Sequence, residues 1–524
     1  MIFCKNSFED TTMQNYIRLI TAIALTASIT LPAEDILLRG LGLDSAASKE
    51  ETSYTCVPAP APPPPAQHSS AEGLPPLPLP VVPLRRTEKK NPPRPPVLIA
   101  KISTANKADW ATNPTDAENL LKWMAKNLNV SFSDMILPDG QIPSDPKNIP
   151  VLYRTGHDAF SFTPKQRQQL RDYLLNGGSL ILEACCGRRA FAESALRELR
   201  GLIPEREPYI LPPDHPLFHS YADIKSISFR PTALKAGAHN GDAAVIGIDI
   251  GCRTAVFFFR WDVSCGWDEQ PDSDRHHCMG YSIETSKILG ANLMSYITSE
   301  RSTAMPLSQA LNFIDADKSR TDKLIIAQAK YHGIWKCREA GLPMLLSQFH
   351  DQTKIPVRYE KEEVALTSPH LFELPVIYLT GHQAFVFTPE ERAALGKYIR
   401  QGGFVIAESC CGRDGFAISF QHEISQILNG SKLEKLAPSH PIFQYPNSIK
   451  DVQPLPALAA KLNSRSRISP ELYGITIDGH LGVVFSPRGL SCGWELAQCP
   501  YCKGIHARDA RALGINILSY SMMQ

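Results

Sequence analysis

LILEACCGRR at residues 180–189 and VIAESCCGRD at 405–414 share one order: an apolar run, a glutamate, a small residue, two cysteines, glycine and arginine. The apolar run has the length of one buried strand, with the doubled cysteines at its carboxyl end. Just upstream lie TPKQRQQLRDYLLNGG (163–178) and TPEERAALGKYIRQGG (388–403). In each, Thr suits an N-cap, Pro the first helical turn and the paired glycines a stop, so both stretches read as helices. Leu170, Tyr173 and Leu174 supply the apolar anchors of the first. Before the helices, PVLYRTGH and PVIYLTGH read as second core strands running into glycine-containing loops. Strand, helix and strand in that order define an α/β layer, with the doubled cysteines at a strand's carboxyl end, where open α/β sheets expose ligand-contacting loops.

The agreement extends well beyond the cysteines. Residues 151–187 align with 376–412 at an offset of 225, DHPLF with SHPIF at the same offset, and SCGWD with SCGWE at 227. Ordered agreement of this kind marks an internal duplication. VLIAKI and LIIAQA read as opening strands, AAVIGIDIGCRTAVFFFR and LYGITIDGHLGVVFSP as hairpins, and SIETSKILGANLMSYI and ARDARALGINILSYS as closing helices. The expected fold class is α/β: two tandem related α/β sandwich domains, residues 97–299 and 323–524, with mostly parallel central sheets and antiparallel additions. Residues 300–322 are the expected linker between them.

Ahead of the repeats, Arg18 precedes an apolar segment, Leu19 to Leu31, with Ala33 suited to a cleavage point. Residues 1–33 are therefore expected to be a signal peptide or membrane anchor, with Met13 as an alternative start. Residues 34–96 form a Pro-rich low-complexity linker, with fifteen prolines between Val57 and Pro96. Repeated proline favours extended conformations and offers no continuous apolar face, so this segment supplies reach. A net charge of +1 without a long basic block gives no footprint for nucleic acid. The expected location is the bacterial periplasm or cell envelope, with membrane contact only through an uncleaved leader.

Thirteen cysteines suit disulfides in an oxidising compartment or a set of thiol and metal sites. For nucleophilic chemistry the candidates are Glu183, Cys185 and Cys186 with His157, and Glu408, Cys410 and Cys411 with His382, because a thiolate attacks and an imidazole deprotonates it. His215 and His440 are weaker bases, each in a loop-like His-Pro segment. For zinc, CPYCKGIH places Cys499, Cys502 and His506 together, with Cys492 or His480 as a further ligand. In the first copy RHHCMG offers His276, His277 and Cys278. No nucleotide or haem signal is present. Disulfides from Cys185 to Cys265 and from Cys410 to Cys492 are the structural alternative. Arg188 and Arg413 could hold an anion or pair with a glutamate, and Trp267 with Asp268, or Trp494 with Glu495, could wall a sugar site or pack in the core.

Taken together, TGH, the helix ending in GG, EACCGR or ESCCGR, HP, GCRT and SCGW resemble domain-of-unknown-function family 4159, in two copies over roughly four-fifths of the chain. The resemblance implies exported bacterial α/β domains with a class I glutamine-amidotransferase-like or flavodoxin-like layout, and no defined reaction. Neither cluster has the Gly-x-Cys-x-Gly form of an amidotransferase elbow, so glutamine hydrolysis is not expected. The second copy replaces Cys252 and Arg253 by Gly479 and His480, so the two copies need not share a task. The expected role is an envelope module for ligand recognition or assembly, with a polymer or protein partner. The alternatives are a cysteine-dependent hydrolase or acyl-transfer enzyme, and a protein stabilised by disulfides or metal.

Overall fold

The computed structural model describes residues 95–523 apart from 105–106, 139, 272–276, 308–322, 360–361 and 497–498. The expected leader, nearly all of the expected Pro-rich linker, Cys4, Cys56 and His276 lie outside the described residues. No helix among the described residues is long and apolar enough to cross a membrane.

Each copy folds around a seven-stranded sheet. The first copy runs β1 (Val97–Ile102), α1 (Asp116–Leu128), β2 (Ser133–Leu137), β3 (Val151–Gly156), α2 (Pro164–Leu175), β4 (Ser179–Ala184) and α3 (Arg189–Leu202). It continues through β5 (Tyr209–Ile210), the hairpin β6 (Val245–Ile250) and β7 (Arg253–Phe259), and α4 (Ile283–Leu307). The second copy repeats this with β8 (Ile326–Lys330), α5 (Gly341–Thr353), β9 (Glu362–Ala365), β10 (Val376–Gly381), α6 (Pro389–Arg400), β11 (Phe404–Ser409) and α7 (Asp414–Ile427). It closes with β12 (Glu434–Lys435), β13 (Tyr473–Ile477), β14 (His480–Ser486) and α8 (Ala507–Ser521).

The first sheet has the order β2-β1-β3-β4-β7-β6-β5, and the second reads β9-β8-β10-β11-β14-β13-β12. Position by position the two orders are the same. The five strands from β2 to β7 pair in parallel, and β6 and β5 add on antiparallel. The second copy is mixed in the same way. Helices cover both faces of the sheet, which is why β3, β4 and β7 are buried at every position and are apolar over most of their length. In the second copy alternate residues of β10 and β11 feed two separate cores: Tyr378 and Ile406 enter one, Ile377 and Val405 the other.

PVLYRTGH and PVIYLTGH are the second core strands of their copies, and third in chain order because short β2 and β9 precede them. Those strands are half exposed at the sheet edge, and SDMIL and EEVA lack an apolar run to announce them. The helices before the cysteine strands start as their sequence demands: Thr163 and Thr388 each accept the N–H three residues on, with Gln166 and Glu391 closing capping boxes. At their ends, a Cβ on Gly178 or Gly403 would fall 2.2 or 2.3 Å from the ring of Tyr173 or Tyr398. Glycine there lets the chain fold tightly back into β4 and β11.

Candidate metal centre at the strand ends

Glu183, at the end of β4, is fully buried and fixes the loop opposite. Its carboxylate accepts the Val263 N–H at 3.2 Å, the Ser264 N–H at 3.4 Å and the Ser264 hydroxyl at 3.1 Å. Thr155 and Tyr153 donate to it from β3. Glu408 repeats the bracket, accepting the Leu490 N–H at 2.5 Å, the Ser491 N–H at 3.1 Å and the Tyr378 hydroxyl at 2.6 Å. Burial pushes Glu183 up to about 8 and Glu408 up to about 7, and the neighbouring thiols Cys185 and Cys492 add to this. Both carboxyls thus tie the central strand to the SCGW turn that carries Cys265 or Cys492, and neither faces solvent.

The doubled cysteines occupy a single tight turn between strand and helix. Cys186 has φ 52° and Cys411 φ 55°, left-handed values uncommon for a residue with a side chain. The next residues, Gly187 and Gly412, are left-handed too, at φ +66° and +63°. A Cβ on either would stand 2.5 Å from the carbonyl oxygen of Met279 or Lys503. Across the same contact the N–H groups of Met279 and Lys503 donate to the carbonyls of Cys186 and Cys411. Met279 and Lys503 are therefore equivalent, and so are Cys278 and Cys502 before them. Each copy brings four matched thiols together: Cys185, Cys186, Cys265 and Cys278 in the first, Cys410, Cys411, Cys492 and Cys502 in the second.

The first cluster includes a buried carboxylate. Asp262 accepts the N–H groups of Cys186 at 2.5 Å and Cys265 at 2.8 Å, and burial with the adjacent thiols holds its pKa well above the carboxylate range. Donor atoms of Cys185, Cys186, Asp262 and Cys265 lie within 4.8 Å of one another. Asn113 donates to the Cys185 and Cys265 sulfurs at 3.6 and 3.3 Å.

The second cluster is completed by the first domain. Cys252, at the turn of the β6–β7 hairpin, lies 3.3 Å from Cys410, and Cys411 lies 3.3 Å from Cys492. The sulfurs of Cys252, Cys410, Cys411 and Cys492 all fall within 4.8 Å of one another, and all four residues are buried. Four sulfurs around zinc at about 2.3 Å stand roughly 3.8 Å apart, so the set fits one tetrahedral ion. A relaxed disulfide needs about 2.05 Å. Within each copy, Cys411 lies 3.3 Å from Cys492 and Cys186 lies 4.0 Å from Cys265, contacts made by the second cysteine of each doublet. The expected pairs used the first.

Local charge favours a cation at the second cluster. Hydrogen bonds from the neighbouring thiols hold Cys411 and Cys492 well below the usual thiol pKa, while burial keeps Cys252 and Cys410 above it. A divalent ion on four thiolates leaves a net charge of about −2. Arg338, fully buried, puts its guanidinium 4.0 Å from the Cys411 sulfur and pairs with Glu495 at 3.0 Å. Burial opposes the Arg338 charge, but the thiols and Glu495 outweigh it. Beside them Cys337, His382 and Cys410 form a further group with donor atoms within 4.8 Å. His382 faces Asp249 of the first domain through Nδ1 at 3.5 Å. Hydrogen bonding from Cys410 brings Cys337 down to about 6, and Cys337 and Asp249 raise His382 against its burial.

The remaining sequence candidates are spread over both domains. Cys499 and Cys502 pack into the second cluster with Cys492, whereas His506 is exposed at the N-cap of α8. His480 is exposed at the tip of the β13–β14 hairpin. His157 is half buried, and the adjacent Cys185 thiol raises its pKa against burial. His215 is buried on the hydroxyl of Thr254, and the ring of His440 caps the short helix after it. Trp267 and Trp494 are core residues whose indoles donate to the carbonyls of Ser286 and Ala510. Asp268 accepts from Thr115 and Asn119, and Glu495 from Arg338 and the Ala340 N–H. Arg413 donates across the domain junction to the Asp214 carbonyl, and Arg188 is the half-buried N-cap of α3.

Sequence reasoning missed Cys337, Arg338, Asp249 and Asp262, and it gave Cys278 and Cys502 different companions. The usable signal was Cys252, whose replacement by Gly479 broke the repeat. The structure explains the asymmetry. The first hairpin docks on the second domain's thiols, while the tip of the second hairpin is exposed.

The family described as Domain of unknown function (DUF4159) matches residues 98–298 and 325–522. Among curated proteins none matches. A solved structure described as a phosphosugar isomerase from Silicibacter pomeroyi DSS-3 aligns at 10% identity over 60% of this chain and 75% of that one, with a TM-score of 0.14.

Proposed function

The chain belongs to the DUF4159 family, in two copies, and from that premise we propose that it is a soft-metal-binding protein whose tandem domains are locked together by an ion of the zinc class. The observation that carries this reading is the convergence of four buried sulfurs, Cys252 from one domain and Cys410, Cys411 and Cys492 from the other. Thiolates select soft or borderline ions, and a site closed by four protein ligands serves structure more than turnover. Such an ion would hold the domains at a fixed angle, as an assembly or ligand-recognition module requires. Export to a bacterial envelope, with a polymer or protein partner, is part of the same proposal. It is supported by the apolar leader and Pro-rich reach segment of the sequence. The strand order, whose parallel part runs 2-1-3-4 and then the second strand of the hairpin, supports a flavodoxin-like or glutamine-amidotransferase-like layout for each copy.

Metal analysis of the full chain, purified without chelator under reducing conditions, tests the reading. Stoichiometric zinc or a similar ion, lost in Cys410→Ser, is the expected result. A metal-free chain that neither binds added Zn(II) nor gains thermal stability from it would overturn it.

One observation favours cysteine chemistry in the first copy, the contact of Cys185 with half-buried His157. That reading requires Cys185 to be alkylated by iodoacetamide in the native protein faster than the other thiols. Uniform protection of all of them would end it.

A further inference from the structure

His382 carries an observation that one tetrahedral ion leaves unexplained. Its ring is buried at 6% exposure, Nδ1 faces the Asp249 carboxylate, and Nε2 has no hydrogen-bond partner among the described residues. A buried ring nitrogen without a partner is costly, and a metal ion satisfies it. The donor atoms of Cys337 and Cys410 lie within 4.8 Å of the imidazole's donor atom. Metal-bound histidines commonly hold their other ring nitrogen on a carboxylate, which fixes the tautomer and strengthens the ligating nitrogen. Asp249 stands where that carboxylate belongs, and it comes from the same hairpin of the first domain as Cys252.

Cys410 belongs to both donor sets, the four-sulfur set and the set with Cys337 and His382. A thiolate sulfur has lone pairs enough for two soft ions at once. We propose that the domain junction holds a dinuclear centre in which Cys410 bridges the tetrathiolate ion to a second divalent ion ligated by Cys337 and His382. This deepens the metal-binding reading and rests on it. The second ion has three protein ligands, so it keeps a position for water or a small anionic ligand, as ions that exchange or react do and closed structural ions do not. On binding, the ion takes the place of whatever protons its ligands carry, and these leave to solvent.

The test uses Co(II) added to the full chain under reducing, anaerobic conditions, read by native mass spectrometry and electron paramagnetic resonance. Wild type is expected to hold one ion more than His382→Gln. Its paired, thiolate-bridged ions couple magnetically and depress the resonance, which His382→Gln restores to that of isolated Co(II). Cys337→Ser should act as His382→Gln does, guarding against a folding defect in either variant. Equal ion counts in wild type and both variants would overturn the second ion. If Cys411→Ser also binds as many ions as wild type, the tetrathiolate reading itself fails; if Cys411→Ser alone loses metal, only the bridged pair is lost.

Discussion

The sulfur of Cys252, on a hairpin of the first domain, lies 3.3 Å from that of Cys410, at a strand end of the second, across 158 residues of chain. Around the contact, Tyr296 stacks on Tyr501 and Arg206 pairs with Glu339. These contacts remain in Cys252→Ser, whereas one thiolate ligand does not. We expect Cys252→Ser to weaken metal binding by more than the roughly 10- to 100-fold that loss of an outer-shell partner costs. Competition with a chromophoric chelator measures this, and an unchanged affinity would remove Cys252 from the ligand set.

Glu408 acts through the turn it holds. In Glu408→Ala the N–H groups of Leu490 and Ser491 and the Tyr378 hydroxyl lose their acceptor. Each unpaired buried donor costs about 1–3 kcal/mol, so a loss of about 3 kcal/mol or more is expected in denaturant unfolding. Glu408→Gln, which keeps an acceptor oxygen, should lose much less. Equal losses in the two variants would mean that burial, not hydrogen bonding, gives the residue its importance.

The fold was legible because its signals are local. Thr163 with Gln166 and Thr388 with Glu391 announce two helices, and the apolar run before Glu183 announces a buried strand. The centre was half legible. Cys185, Cys186, Cys410 and Cys411 stand out as doublets, and Cys265 and Cys492 lie in matched SCGW turns. Cys278 and Cys502 stand out less. The offset between copies falls to 224 after SCGW, and CPYC sets Cys502 three residues from Cys499, a cysteine without a counterpart in the first copy. Cys252 and Asp249 act across the domain junction, and no periodicity within one copy encodes a contact with the other.

Gly412 should be intolerant of any side chain. It needs φ +63°, and its Cβ would stand 2.5 Å from the Lys503 carbonyl, the contact that brings Cys502 beside Cys411. Left-handed backbone costs a non-glycine residue about 1–2 kcal/mol, and the backbone collision adds to it. Gly412→Ala is expected to lose about 2 kcal/mol or more and to bind metal less tightly. Gly402, at φ +93° with nothing within 4 Å, is the control, and Gly402→Ala should show only the conformational cost. If the two variants lose the same stability by thermal unfolding, the close approach at Gly412 is not what restricts it.

Asp268 makes stability depend on pH. Its Oδ1 accepts from Thr115 and Asn119 at 3.0 and 2.8 Å, while Oδ2 is buried without a partner among the described residues. Burial, then the nearby Asp116 carboxylate, raises its pKa from 3.8 to about 6, against the opposing pull of its two donors and Lys101. A native pKa above the unfolded one means that the folded state binds the proton more tightly. The stabilisation is therefore fully present below about 3.8 and is lost as pH rises through about 6. Asp268→Asn keeps the acceptor at Oδ1 and removes the ionisable group, so it should match wild type in acid and exceed it above neutrality. Urea unfolding of both proteins across this range measures the difference. A wild type that gains on the variant as pH rises would mean that Asp268 is stabilised as the carboxylate.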